Sequence, residues 1–221
     1  QINSINLNYN FVSLDGKHRL NAYASTQAIN RSSYYGANQD PNAYGKTNDL
    51  TYLTGAMANH KLDRFLFAKA DITYGLEFSS NSLDDRIEGY DIRTQQTANI
   101  FGGYVQSEWK SNKLNMLLGA RADKHSLLNT PVISPRVNLL YKPATNLQLR
   151  ASYSSGYRAP QVYDEDLHVT QVGGESVRIQ LAENLRPEYS HSTSLSADYY
   201  VRINENLQAN FLLEGFYTVL N

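Results

Sequence analysis

A two-residue alternation between apolar and polar side chains runs through the chain from end to end. Near the start, Ile5, Leu7 and Tyr9 alternate with Asn6 and Asn8. Because successive side chains of a β-strand point to opposite faces, this period predicts strands with one apolar and one polar face. No window shows the 3.6-residue period of an amphipathic helix. The sequence therefore predicts an all-β protein of antiparallel strands.

The alternation can be followed through about ten stretches of roughly 9 to 14 residues each. Clear examples cover residues 69–78, 101–110, 114–123 and 207–214. Strands of soluble proteins usually stop near about 5 or 6 residues. A tilted strand that crosses a membrane needs about 9 to 11. Strand length therefore favours a transmembrane sheet.

Short and long connections alternate between the predicted strands. Turn signals occur at Asp15-Gly16, near 60–63, at Ser111-Asn112, near 143–146 and near 203–206. Longer polar segments run roughly over 29–49, 80–97, 125–133 and 157–189. Bacterial barrels combine short periplasmic turns with long external loops. This alternation of short and long connections predicts up-and-down strands of a transmembrane β-barrel.

The polar face of the predicted strands is too charged for a packed core. It carries Lys69, Asp71, Glu77, Glu108, Lys110, Arg121, Asp123, Arg136 and Arg150. Burying unpaired charges is costly, so we expect a wet lumen or one filled by a separate polar plug domain. A barrel of about eight to ten strands would also pair such charges in its own interior.

Aromatic residues precede several of the short turns. Trp109, Tyr141, Tyr199 and Tyr200 stand just before short turns, and Phe11 and Phe65 lie close to such turns. Side chains with an apolar body and a polar tip favour the membrane interface. We therefore expect them to form the periplasmic aromatic belt of the barrel.

Composition narrows the function classes. The net charge is −1 and the chain has no cysteine, so a nucleic-acid partner, disulfides and thiolate chemistry are not expected. The five histidines lack metal-ligand spacing, which predicts no metal site and no cofactor. A Gly-x-Ser-x-Gly element is missing as well, so no catalytic residue is assigned and no enzyme is expected.

The most specific motif lies between two predicted strands. Tyr157-Arg158-Ala159-Pro160 closes the first strand, and Asn184-Leu185-Arg186-Pro187-Glu188 leads into the second. Between them stand Asp164-Glu165-Asp166-Leu167-His168 and Gly173-Gly174-Glu175. Together these elements resemble TonB-dependent outer-membrane receptors, in the version typical of Bacteroidetes. The specific part of the resemblance covers about forty residues, from 151 to 190.

The resemblance implies a barrel of about 22 strands with an N-terminal plug, placed in the bacterial outer membrane. Residues 1–221 would then be one partial barrel domain, truncated at both ends and without a plug. Such a fragment would not transport by itself. Its partners would be outer-membrane lipid, TonB through a missing N-terminal region, and a nutrient such as a ferric siderophore, haem, cobalamin or a glycan.

Residues of the predicted external loops are the candidates for ligand contact. Tyrosine offers rigid amphipathic contact area, and the candidates are Tyr34, Tyr35, Tyr44, Tyr90, Tyr163 and His168. A second set is expected to shape the rim of the barrel: Tyr157, Arg158, Ala159, Pro160, Asn184, Leu185, Pro187 and Glu188. The acidic run at 164–166 lacks the EF-hand pattern and predicts a solvated loop.

Two other functions remain open at this stage. One is a complete small barrel of about ten strands that acts as a porin, an adhesin or an omptin-like protease. The other is a soluble β-sandwich that binds carbohydrate through its tyrosines. Strand length and loop parity disfavour the sandwich.

Overall fold

The computed structural model describes residues 1–34, 44–87, 89, 91–161 and 186–221. Within these residues, ten strands form one sheet in chain order, and every neighbouring pair is antiparallel. Their bounds are β1 (Ile2–Val12), β2 (His18–Tyr34), β3 (Tyr44–Phe65), β4 (Ala68–Ile87), β5 (Ile92–Lys110), β6 (Leu114–His125), β7 (Val132–Ala144), β8 (Leu147–Arg158), β9 (Glu188–Asn204) and β10 (Leu207–Leu220). The described part of the chain contains no helix long and apolar enough to span a bilayer. The prediction of about ten up-and-down strands is confirmed.

Strand ends differ from the predicted ones. The strands are 11 to 22 residues long, so the predicted range was too short. The predicted loops over 29–49 and 80–97 are strand for most of their length, because β2 runs to Tyr34 and β4 runs to Ile87. Apolar alternation stops where lipid contact stops, whereas backbone pairing continues in water. The sequence pattern therefore marks the apolar part of each strand and misses its polar extension.

One predicted turn is also displaced. The β3–β4 turn lies at Leu66-Phe67 and not near 60–63. A register shift between Leu62 and Phe65 precedes it, and Leu66 adopts a positive φ of 59°. The hydrophilic run at 60–64 suggested a turn, but its backbone still pairs with β4.

The register separates two faces of the sheet. One rung joins seven mostly apolar residues on one face: Tyr9, Ala22, Ala56, Leu76, Gly103, Ala122 and Ile133. The next rung, on the other face, joins Asn8, Tyr23, Gly55, Glu77, Gly102, Asp123 and Val132. We call these the apolar face and the polar face. The predicted alternation is confirmed on both.

The apolar face is exposed over most of the sheet. Leu76 is 58% exposed, Val105 is 54% and Leu213 is 76%. Water-soluble proteins rarely expose an apolar surface of this extent. A lipid environment removes the penalty, so the sheet has the surface of a membrane wall.

The apolar belt has a defined height. On β4 it covers Ala70 to Phe78, after which the same face carries Ser80, Ser82 and Asp84. At about 3.3 Å per residue this stretch of nine residues measures about 26 Å along the strand, which matches the about 9 to 11 residues that a tilted transmembrane strand needs. On β6 the belt ends at Ala122, since the next residue on that face is Lys124. Residues beyond these points lie outside the membrane-spanning part.

An aromatic cluster borders the belt at the short-turn end. Trp109 is buried between Phe65 and Phe67, whose ring centroids lie 6.1 and 5.5 Å from the indole ring. Its Nε1–H donates to the carbonyl oxygen of Phe65 at 3.0 Å. Tyr199 pairs with Phe211 on the same face, as expected for an interfacial belt. The cluster locks the β3–β4 turn against β5.

Tyr200 corrects the predicted belt. Adjacent residues of a strand must point to opposite faces, so Tyr199 and Tyr200 cannot both face lipid. Tyr200 lies on the polar face, where its hydroxyl donates to Asp198 at 2.7 Å.

Trp109→Ala should lower the free energy of unfolding by about 3 kcal/mol, because it removes the indole ring with its two stacking contacts and its hydrogen bond. Urea unfolding of the detergent-solubilised protein, followed by gel mobility of the folded form, would measure the loss. Tyr199→Ala is the control: this side chain is 44% exposed, so its removal should cost less than about 1 kcal/mol. Equal losses of unfolding free energy in the two variants would contradict the role of the Trp109 cluster in stabilising the β3–β4 turn.

Candidate functional site: the polar face and the loop-side rim

Glu77 occupies the centre of a hydrogen-bonded network on the polar face. The Tyr23 hydroxyl donates to its Oε2 at 2.5 Å, and Arg121 Nη2 donates to its Oε1 at 3.0 Å. Tyr23 comes from β2 and Arg121 from β6, each two strands away from β4. The Glu77 carboxylate is therefore held from both sides across five strands.

Glycines make this reach possible. Gly55 and Gly102 flank Glu77 in its rung. A Cβ at Gly55 would lie 2.6 Å from the Tyr23 hydroxyl oxygen, and one at Gly102 would lie 2.5 Å from an Arg121 nitrogen. Both distances are too short for real contacts, so any larger residue would displace the Tyr23 or Arg121 side chain. The missing side chains let Tyr23 and Arg121 lie across the neighbouring strand.

Arg121 joins two carboxylates. Besides Glu77, its Nε donates to both oxygens of Asp123, at 2.8 and 2.9 Å. Asp123 is only 4% exposed, so without the guanidinium it would be a buried charge lacking its cationic partner. The trio carries a net charge of −1, and its polar atoms face the side of the sheet opposite to the lipid.

A second carboxylate is satisfied in a similar way near the short-turn end. Asp198 is 7% exposed; it accepts hydrogen bonds from Tyr200 and Asn210 and lies 3.6 Å from Arg150 Nη1. Ion pairs and hydrogen bonds within the polar face therefore compensate these charges.

The Tyr157-to-Pro160 motif packs on the connection between β6 and β7. Ala159, Leu128 and Val132 form a buried apolar cluster, and Tyr157 packs against it. Lys124 Nζ holds the same connection by donating to the carbonyl oxygens of Leu128 and Asn129, at 2.8 and 2.9 Å. The end of β8 thus anchors a loop from two strands earlier.

His125 closes this rim cluster. Its side chain is 1% exposed, and its Nδ1 accepts the Leu127 backbone N–H at 3.1 Å. Nε2 of the ring lies 3.1 Å from the Gln161 side-chain amide. Because Nδ1 accepts this hydrogen bond, the ring is neutral with its proton on Nε2, and the Gln161 amide turns its oxygen toward that N–H.

The two halves of the motif meet at the base of the next connection. Arg158 and Glu188 share a rung of β8 and β9, with Nη1 and Oε2 3.9 Å apart. Pro160 and Pro187 stand just outside the paired region, where a missing N–H costs no ladder bond. This position agrees with the predicted rim role, which stays a prediction for function.

The structure brings two of the predicted ligand residues together. Tyr34 and Tyr44 form the last rung of β2 and β3, with ring centroids 4.9 Å apart and both rings exposed. The other candidates lie outside the described residues: Tyr35, Tyr90, Tyr163 and His168, together with the rim residues Asn184 and Leu185. The acidic run at 164–166 lies there too.

Asp84 and Asp85 are neighbours on β4 and point to opposite faces. Asp84 is paired with Arg86 and Arg93 at 2.9 Å each, and these two guanidinium groups hold its pKa well below the usual range. Asp85 is buried and accepts a hydrogen bond from Thr47 at 2.5 Å. Among the described residues, no three His, Asp or Glu side chains are grouped to hold a metal ion.

Arg121→Met should destabilise the wall by about 2–3 kcal/mol, because Asp123 and Glu77 would lose their cation in a partly dry site. Glu77→Gln should cost less, since the amide still accepts a hydrogen bond and leaves Arg121 with Asp123. Chemical unfolding would rank the free energies of unfolding of the two variants and of Arg202→Met. Arg202 is an exposed arginine on the polar face and serves as the control. A loss with Arg202→Met as large as with Arg121→Met would rule out the network as the cause.

The rim should loosen in acid. Burial lowers the pKa of His125, and the Asp123 carboxylate opposes this effect. Because the fold favours the neutral ring, the contribution of His125 to stability is complete above the ordinary His pKa of about 6.5. It is lost as pH falls through the lower pKa of the folded state. Amide hydrogen exchange over 126–131, corrected for intrinsic rates, should show this loss. The same profile in His125→Gln would contradict it.

Comparison with known proteins agrees with this architecture. The family described as "TonB dependent receptor-like, beta-barrel" matches residues 1–220. A comparison with curated proteins gave no match.

Solved structures share the fold. A mutant of the ferric enterobactin receptor PfeA from Pseudomonas aeruginosa is 18% identical, with a TM-score of 0.76, and the match covers 99% of this chain and 34% of that one. The siderophore receptor PirA from Pseudomonas aeruginosa is 19% identical, with a TM-score of 0.69, over 98% and 38% of the two chains. The copper transporter OprC is 13% identical, with a TM-score of 0.71, over 99% and 38%.

The chain thus spans between a third and two fifths of these receptors. Its apolar face is the lipid-facing surface of a bacterial outer-membrane wall, and its polar face is the lumen side. Register, belt and family match lead to one assignment: the chain belongs to the TonB-dependent receptor β-barrel family.

Proposed function

We propose that this chain supplies ten wall strands of a larger receptor barrel that actively imports a scarce nutrient across the outer membrane. The observation that carries the proposal is the combination of a lipid-exposed face with a compensated polar face on one open sheet. In the described part of the chain, β1 and β10 each pair with only one neighbour. Open edges in lipid leave backbone groups without partners, so further strands of the same barrel are needed on both sides.

The cargo we favour is a metal-bearing small molecule, with a ferric siderophore first. The support is the function of the structural neighbours, which include a siderophore receptor, a ferric enterobactin receptor and a copper transporter. Haem, cobalamin and a glycan remain alternatives for the same architecture. Tyr34 and Tyr44 give the loop side an exposed aromatic pair, which suits contact with a flat or aromatic ligand.

Transport by such a barrel requires a plug and contact with TonB, which we assign to segments outside these ten strands. The isolated strands would not transport. The charged trio of Glu77, Arg121 and Asp123 faces the lumen, and a polar plug would meet a wall patch with a net charge of −1 whose two carboxylates share one guanidinium. The role proposed is transport and not catalysis.

The alternatives are less well supported. A closed small barrel needs its first and last strands to pair, and β1 and β10 do not pair with each other within the described residues. A soluble sandwich needs its apolar face covered by a second sheet. Here the ten described strands form a single sheet, and its apolar face is exposed.

Bacteria that lack the parent gene should lose uptake of one iron-labelled siderophore, and the intact gene should restore it. Uptake should also stop when TonB is absent, because the family couples import to TonB. The assay is accumulation of labelled iron in iron-starved cells, run over a panel of chelates, haem, cobalamin and glycans. Accumulation of every panel member at wild-type rates in the deletion strain would refute the import proposal. A loss that does not depend on TonB would favour a porin.

A further inference from the structure

Two histidines that lie 42 positions apart in sequence meet on the apolar face. His18 and His60 share a rung of β2 and β3, with 2.7 Å between their Nδ1 atoms and 4.9 Å between ring centroids. Nε2 of His60 lies 3.1 Å from the hydroxyl of Tyr74 on β4. We propose that His18 and His60 form a binding site for a divalent transition-metal ion, with Tyr74 as its supporting residue.

The tautomers suit metal binding. If the Nε2–H of His60 donates to Tyr74, its Nδ1 keeps a lone pair that faces His18. Metal-binding histidines usually donate their other N–H to an oxygen acceptor, which fixes the ring and the tautomer. Without metal, His18 Nδ1–H donates to His60. With metal, the His18 proton moves to its own Nε2, so both Nδ1 lone pairs become ligands and no net proton is released.

The spacing is close to that of two imidazoles on one ion. With metal–nitrogen bonds of about 2.0–2.1 Å, neighbouring ligands are about 2.9 Å apart in a square plane and about 3.3 Å apart in a tetrahedron. The observed 2.7 Å is a hydrogen-bond distance, in which the His60 Nδ1 lone pair points at His18. For a square-planar ion the two nitrogens have to separate by a few tenths of an ångström, and the rings have to turn until both lone pairs point at the ion. Imidazole ligands and this geometry favour copper(II) or nickel(II), with zinc(II) next.

The surroundings supply negative charge and water. Asp15 lies in the adjacent turn, where the Ser13 hydroxyl and the Lys17 backbone N–H lower the pKa of its carboxyl and nearby His18 adds to this effect. The Lys17 ammonium is bound to Asp63 at 2.6 Å, which offsets its repulsion of a cation. His18 is exposed and is the first residue of β2 after the short turn. Water can therefore complete the coordination.

The location points to a structural ion. His18 and His60 lie on the lipid-facing side of the wall, at its short-turn end and away from the lumen. An ion there would bridge β2 and β3 and stabilise the folded wall by an amount that rises with the free-ion concentration. This site is independent of the cargo and of the import proposal.

The test is a titration of the detergent-solubilised protein with copper(II) chloride, followed by calorimetry and electron paramagnetic resonance. We expect His60→Ala and His18→Gln each to remove one equivalent of bound copper, together with a signal from two nitrogen ligands. Tyr74→Phe should weaken the same site severalfold while keeping that signal. His191→Ala is the matched control, because His191 is a histidine on the same face that contacts Tyr153 instead.

Thermal unfolding separates binding from damage to the fold. In the presence of a chelator, His60→Ala and His18→Gln should melt near the wild-type temperature, and copper should raise the melting temperature of the wild type alone. Equal copper stoichiometry in wild type and both variants would overturn the site. So would an equal loss in His191→Ala.

Discussion

Backbone hydrogen bonding in lipid is the constraint on which the rest of this structure depends. Inside a bilayer no water can satisfy an open N–H or C=O, so a strand must pair with a neighbour over its whole apolar length. Between the outer edges of β1 and β10, the described strands meet this condition with a continuous antiparallel ladder. Its register shifts, at Leu62/Phe65, Tyr141/Ala144 and Leu207/Gln208, all occur beside short turns. Irregular pairing is thus confined to the water-exposed end.

In a paired sheet, side chains can point only to one face or the other. On the polar face, the charged side chains are difficult to pack together. Charged residues in adjacent strands would crowd one another unless some positions are left empty. Gly55 and Gly102 are such positions, and they let Tyr23 and Arg121 reach Glu77 across an intervening strand. Because Tyr23 and Arg121 reach Glu77 over these glycines, the charges belong to one hydrogen-bonded network. Such a network stabilises a charged wall next to a low-dielectric membrane.

At the loop-side rim, side-chain contacts fix the strand ends from which the long connections begin. Ala159 packs with Leu128 and Val132, and Arg158 pairs with Glu188 at the base of the next connection. The family motif therefore ties three strand ends together. Its role is mechanical, because an apolar residue, a cation and a proline stand at the point where strand pairing stops.

The amino-acid sequence by itself determined the number of strands, their two faces and the family motif, because period-two alternation and local motifs are properties of neighbouring residues. It placed the apolar part of each strand but missed the polar extensions to Tyr34 and Ile87 and the turn at Leu66. It also assigned Tyr200 to the wrong face.

Only the tertiary structure decided which residues meet across strands. The Tyr23–Glu77–Arg121 network and the His18–His60 pair join positions between 42 and 54 residues apart. Such contacts depend on the register of each strand pair, which is set by turn geometry and bulges. A shift of one residue would send every side chain of a strand to the other face.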